Sequence, residues 1–271
     1  VSGTIPPHDA PAGAHGVAAN VRAAIARDGF DWIVPTWPAP SAIGALSTTR
    51  AGGGAAALAS STSSAVAAQL PSAPVWLRQV HGADVIVLDN ANVDDARRAP
   101  LHADAAVTRA HGIVCAVRTA DCLPVLFAAR DGSVVGAAHA GWRGLAAGVL
   151  EATIAALVAQ RARREDLVAW LGPAIGPTAF EVGADVVDAF AATDPGSGAC
   201  FVAQRDGKWL ADLYALARRR LVAAGVGDVT GGDRCTVREP ARFYSHRRAR
   251  EAGRMATLVW IAPAGRDSTT I

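Results

Sequence analysis

The stretch TADCLPVLFAARDGSVVGAAHAGWRG, from Thr119 to Gly144, carries a cysteine near one end and a histidine near the other. Thiolate and imidazole together bind a borderline-soft metal such as zinc, and each is also common as a small core group. Which reading holds depends on whether the two side chains meet. Asp131-Gly132 is a two-residue hairpin signal between apolar runs. With that turn, Arg130 pairs with Ser133, and continuing the ladder sets His139 opposite Pro124. Alternate residues share a strand face, so Cys122 becomes the diagonal neighbour of His139, roughly 7 to 8 Å away at the backbone. Side chains leaning together bridge such a gap through a metal. Pro124 lacks a ladder donor, which predicts that this hairpin end lies at a sheet edge or opening.

His81, in RQVHGADV, sits between two strand-like runs and is the natural third candidate. Two histidines and a thiolate leave a fourth tetrahedral position open, as catalytic zinc sites do. Spacing alone does not bring the three together. Asp121 points to the opposite face if its strand is regular; in a loop it is placed to orient a ligand or act as a base. Two glycine-rich segments offer anion sites, AGWRGLAAG at a strand-to-helix turn and TTRAGGG with Arg50. Neither is a Walker loop or a G-x-G-x-x-G fingerprint. His102, His111, Cys115, Cys200 and Cys235 read as surface or structural residues, and Arg218 to Arg220 as a solvated helix face.

Around these residues the elements follow from periodicity. Residues 1 to 18, rich in Pro, Gly and Ala, read as a tail in which His8 and His15 have no function. A short helix follows, then a Pro-rich segment and a small-residue helix after TTRAGGG. From Val75 the pattern is β-like through VWLRQV, VIVLD, ADAAVT, GIVCAVRT, CLPVLFAAR and SVVGAAHA. One helix is expected from Gly144 to Gln160, then the short strand LVAWLGP, helices in VGADVVDAFAAT and WLADLYALARRRLVAAG, and the closing strand MATLVWIAP. Clustered strands flanked by helices predict an α/β, α+β-like layered sandwich around a mixed sheet, with residues 19–271 forming one catalytic domain.

Composition sets bounds on partners. Of 271 residues 51% are hydrophobic and 18% charged, and 26 basic against 24 acidic side chains give a net charge of +2. That balance argues against a dedicated nucleic-acid surface. There is no run of about 18 uncharged apolar residues and no signal design, and four cysteines without C-x-x-C spacing suit a reducing compartment. The expectation is a cytoplasmic protein with no membrane partner, a monomer or homodimer.

The segments TTRAGG, RQVHGADV, DAAVT, TADCLPV, AAHAGWRGLAAGV, LGPAIGP with FEVG, and FYSHRR with GRMATLVW span about residues 47 to 262. In these the chain resembles the YfiH-like family, also described as the laccase-domain or multicopper polyphenol oxidoreductase family. The resemblance implies a metal site at His81, Cys122 and His139, with zinc expected and copper reported for the family's oxidases. It also implies a mixed-sheet sandwich similar to that of the cytotoxic-necrotizing-factor toxins. The implied activities are phosphorolysis of purine nucleosides (adenosine, inosine, methylthioadenosine) with adenosine deamination, polyphenol oxidation, or hydrolytic editing of serine from a peptidoglycan precursor. Seven histidines, two of them in the tail, are too few for a multicopper relay, and the H-x-E and P-C-x-x-C deaminase motifs are absent. Of the activities the resemblance implies, the one expected here is that of a zinc-dependent purine nucleoside phosphorylase with adenosine deaminase activity. A precursor amidase, a copper-dependent polyphenol oxidase and a non-enzymatic metal-binding module are the alternatives. Phosphate contacts are expected from Arg50, Arg247 and Arg248, and an orienting or proton-transfer role from Asp121. Relatives often carry an aspartate after the arginine pair, where this chain has Ala249.

Overall fold

The computed structural model describes residues 16–60, 64–250 and 253–263. The first part of the expected tail, with His8 and His15, lies outside them. In chain order the elements are α1 (Val17–Arg27), β1 (Ile43–Ser47), α2 (Ala57–Ser60), β2 (Val75–Trp76), β3 (Val85–Leu88), α3 (Val93–Arg98) and β4 (Ala105–Thr108). Then come β5 (Val114–Thr119), β6 (Leu123–Ala129), β7 (Val135–Ala140), α4 (Trp142–Ala146), α5 (Val149–Ala159) and β8 (Leu167–Leu171). The chain continues through β9 (Glu181–Val182), α6 (Ala184–Ala191), β10 (Phe201–Ala203), β11 (Trp209–Ala211), α7 (Leu213–Ala223), β12 (Asp228–Gly231) and β13 (Met255–Ile261).

Two mixed sheets stack. One has four strands in the order β1-β13-β5-β2 and the other six in the order β12-β8-β6-β7-β4-β3; β9 to β11 form a small third sheet. Period-2 alternation explains the layers. Leu126 and Ala128 of β6 pack with Val117 and Val259 of the other sheet, while Leu123, Val125 and Phe127 pack against α5 and α7. The outer face of the four-stranded sheet is covered by α1, through Val21, Ala24 and Ile25 on Leu46 and Trp260. Strands buried on both faces read as continuous apolar runs, which is how β6 and β13 look in the sequence.

The expected α/β sandwich is the observed one, with local differences. The helix expected from Gly144 breaks at Gly148, whose φ of 94° no helix accommodates, giving α4 and α5. The segment WLA pairs as β11, so α7 begins only after its N-cap Asp212, and the small-residue segment after TTRAGGG forms short helical turns. Strand β1 is invisible to β-propensity because it is IGALS; a Cβ on Gly44 would lie 2.1 Å from the Trp260 ring. The arginines of α7 are not a solvated face. Arg218 donates to the carbonyls of Val229 and Gly231, Arg219 pairs with Asp194, and Arg220 holds Glu151 and Thr193 over the Phe190 ring.

Candidate metal centre and cavity

The hairpin register is as expected: Pro124 faces His139 and Leu123 faces Ala140, which sets Gly141 against Cys122. The turn is wider than two residues, because the Ala129 N–H donates to the Val134 carbonyl and only Gly132 has positive φ. This change leaves the ladder unshifted. Strand β6 is central, not an edge. Pro124 is tolerated there because its missing donor points to Gly172, one residue past the end of β8, whose own N–H bonds the Pro124 carbonyl. The hairpin end does open on a cavity.

His81 lies on the link from β2 to β3, Cys122 on the link from β5 to β6, and His139 near the end of β7. Their ligand atoms all lie within 4.8 Å of one another, with Cys122 Sγ 3.8 Å from His81 Nε2. Zn–S and Zn–N bonds at a tetrahedral angle set such a pair about 3.6 Å apart. The two imidazoles meet edge to face at 4.9 Å. His139 is buried, Cys122 half-buried and His81 exposed, so the group forms the inner wall of an open site.

Asp104 organises it. The carboxylate is fully buried and accepts from His139 Nδ1 at 2.7 Å and from the backbone N–H groups of Val80, His81 and Gly82. One oxygen pair thus orients the His139 ring, leaving Nε2 for the site, and holds His81 in its left-handed conformation at φ 62°. Burial raises the Asp104 pKa, but the His139 ring and the Gly82 and Val80 N–H groups outweigh it and hold the carboxyl below the usual range. Burial also pushes the Cys122 thiol up; hydrogen bonds and charge from His139 and His81 reverse this and bring it to about 6. For His139, burial favours the neutral ring, and Asp104 with Cys122 overcomes that and raises it to about 9.

In metal-free protein Cys122 is therefore expected to be thiolate at pH 7, losing that form as pH falls through about 6. Thiolate absorbance of the wild type, with that of Cys122→Ala subtracted, measures the midpoint. A midpoint near the ordinary thiol value of about 8.5 would show that the imidazoles do not govern it.

Two glycines keep the space clear. A Cβ on Gly141 would sit 3.0 Å from both Cys122 Sγ and His81 Cδ2, and one on Gly144 2.7 Å from the Gly82 carbonyl. Gly144→Ala meets backbone, so the 81–82 turn must move; we expect a loss of about 1–3 kcal/mol in urea unfolding. Metal affinity should weaken alongside it, and an unchanged affinity would show that His81 is not held against α4.

Asp121, also in a left-handed conformation at φ 89°, is not one of the converging ligand groups. It is buried and accepts from Thr236 and Ser245 hydroxyls and the Arg247 N–H. Its bonds fix the 236–248 loop, which brings Arg247 and His246 to the rim.

The cavity, about 630 Å³, has Trp142, Ile175, Phe180 and Leu213 as apolar walls. Five arginines line it: Arg78, Arg118, Arg143, Arg247 and Arg254. Of the arginines expected at the site, only Arg247 reaches it. Arg248 donates to the carbonyls of Thr236, Val237 and Phe243, and Arg50 bonds the Pro240 carbonyl beside the Tyr244 ring. His102 and His111 stay outside, while Cys115 is buried, its thiol pushed up to about 12. Asp104 is the residue sequence reasoning passed over; an acidic residue entering the apolar strand AAVT was its signal.

A family profile described as "Multi-copper polyphenol oxidoreductase laccase" matches residues 47–262. "Purine nucleoside phosphorylase YfiH" of Escherichia coli (strain K12) is 47% identical over 247 residues, covering 84% of this chain and 98% of that protein. A "Purine nucleoside phosphorylase" of Xylella fastidiosa is 48% identical over 255 residues, 85% and 97% of the two chains. A crystal structure of a Neisseria meningitidis protein superposes with a TM-score of 0.76 at 42% identity, covering 86% of this chain and 100% of that one. YlmD from Geobacillus stearothermophilus gives 0.72 at 29% identity, over 82% and 93%. The sheet stacking, the register that joins Cys122 to His139 and these likenesses agree: the chain belongs to the multi-copper polyphenol oxidoreductase laccase family, that of the YfiH-like proteins.

Proposed function

We propose that the protein is a zinc-dependent purine nucleoside phosphorylase that also deaminates adenosine. The reading is carried by the His81, Cys122 and His139 group, oriented by Asp104, at the wall of a cavity with aromatic and arginine side chains. Relatives named purine nucleoside phosphorylase at 47 and 48% identity support the substrate class. Two imidazole nitrogens and a low-pKa thiolate are a donor set suited to zinc, though copper also accepts it. A zinc ion held there would supply Lewis acidity with a coordination position left for substrate.

In phosphorolysis a phosphate oxygen bonds to the anomeric carbon as the carbon–nitrogen bond to the purine breaks. The electron pair goes to the purine nitrogen, which takes up a proton. Arg247 and Arg143 are the residues we assign to the phosphate, guanidinium geometry suiting two of its oxygens. Each is braced on an aromatic ring, Arg143 at 4.3 Å over Trp142 and Arg247 at 5.7 Å over Phe180. The same rings offer faces to a purine. Asp121 is a positioning residue, acting through the loop that carries Arg247.

Among the described residues no second cluster of histidine, cysteine and carboxylate groups could hold a metal, and no helix is long and apolar enough to cross a membrane. A relay of copper centres is thus not supported. Purified protein given adenosine and phosphate should yield adenine with ribose 1-phosphate, and inosine by deamination, with metal analysis in parallel. Neither product, with serine released from a peptidoglycan precursor instead, would overturn this reading in favour of the amidase.

A further inference from the structure

The arginines of the cavity outnumber what one phosphate requires, and they fall into two groups. Arg143 and Arg247 come from α4 and the 236–248 loop. Arg118 is the penultimate residue of β5, and Met255 pairs with Thr119, so continuing the ladder one residue sets Arg254 beside Ala120, on the face of Arg118. Arg78 joins them. Its neighbour Gln79 bonds both the N–H and the carbonyl of Arg118 through its side-chain amide, clamping the 78–79 segment against β5. All three side chains are exposed and line the cavity. Among the described residues no carboxylate pairs with Arg78 or Arg118, which rest on His102 and the Trp76 ring. The one carboxylate in the lining, Asp121, is spent on three donors.

Arg78 and Arg118 are like charges on one sheet end, and an anion between them relieves their repulsion. A neutral nucleoside would not supply it. Cys122 lies four positions along the chain from Arg118, which limits their Cα–Cα distance to about 14 Å, a span a nucleoside monophosphate covers.

We propose that Arg78 and Arg118 form a second anion subsite that takes a phosphate monoester on the substrate, so that purine nucleoside 5′-phosphates are preferred ligands of the cavity. The choice of a purine nucleotide rests on the phosphorylase reading; the subsite rests on the arginines. Calorimetric titration of the protein as isolated, in phosphate-free buffer, compares AMP with adenosine. AMP should bind about tenfold tighter or more, as charge-assisted pairing with guanidinium groups requires, and the margin should shrink with added salt. The double variant Arg78→Gln/Arg118→Gln should lose the margin while keeping adenosine affinity within about twofold, since exposed side chains carry little of the fold. Equal affinity for AMP and adenosine in the wild type, or a margin that survives in the double variant, overturns the subsite. Adenosine phosphorolysis measured on the same samples judges the other reading separately: its absence sinks the phosphorylase while the binding result still decides the subsite.

Discussion

Asp104→Ala is expected to cost about 3–5 kcal/mol of stability, the range for removing one member of a buried charged pair. The residue is fully buried and serves four donors from two separate segments, the His139 ring and the N–H groups of residues 80 to 82. Alanine leaves all four without an acceptor, and buried unpartnered donors bear their full desolvation penalty. Metal affinity should fall by a further 10- to 100-fold, roughly the effect of removing a carboxylate that orients a histidine ligand. Urea unfolding of metal-free protein and zinc titration separate the two effects. Asp104→Asn keeps the shape and one acceptor oxygen, so it should lie between wild type and alanine in both. A stability loss under about 1 kcal/mol for the alanine variant, the size of an ordinary surface change, would remove Asp104 from its central position.

The second large effect is on turnover. Cys122→Ala removes the thiolate of the metal group, and because even an outer partner is worth 10- to 100-fold, loss of a ligand should lower activity by more than about a hundredfold. The fold should survive. Cys122 is half-buried, lies against Gly141, and its replacement shortens a side chain at a cavity wall without opening a void in the core. Circular dichroism and unfolding of the metal-free variant should match metal-free wild type within about 1 kcal/mol. Collapse of the fold together with activity would instead assign the cysteine a structural part.

How legible these features are in the sequence depends on the kind of constraint. The meeting of Cys122 and His139 is legible because a strand has a fixed period and one turn sets the register for the whole ladder. The wider turn leaves that register unchanged, since it takes one residue from each strand. His81 is not readable that way: it is brought in by a loop held to Asp104, and no periodicity encodes a carboxylate bonding three consecutive N–H groups. Long side chains are the least legible. Arg50, Arg247 and Arg248 look alike in the chain, yet Arg248 is spent on carbonyls of its own loop and Arg50 on the Pro240 carbonyl, while Arg247 faces the cavity. Strand β1 shows the converse, where Gly44 is chosen for the Trp260 ring across the sheet and not for its own strand propensity.

His81 and Cys122 both lie where the chain crosses from the four-stranded sheet to the six-stranded one, and His139 belongs to the latter. An ion bound by all three would staple the two layers. Its binding energy then enters the unfolding equilibrium, adding about 2.7 kcal/mol when free metal stands at 100 times its dissociation constant. The melting temperature of the protein becomes a gauge of metal supply, and starvation for metal would shorten the lifetime of the folded chain as well as silence its chemistry.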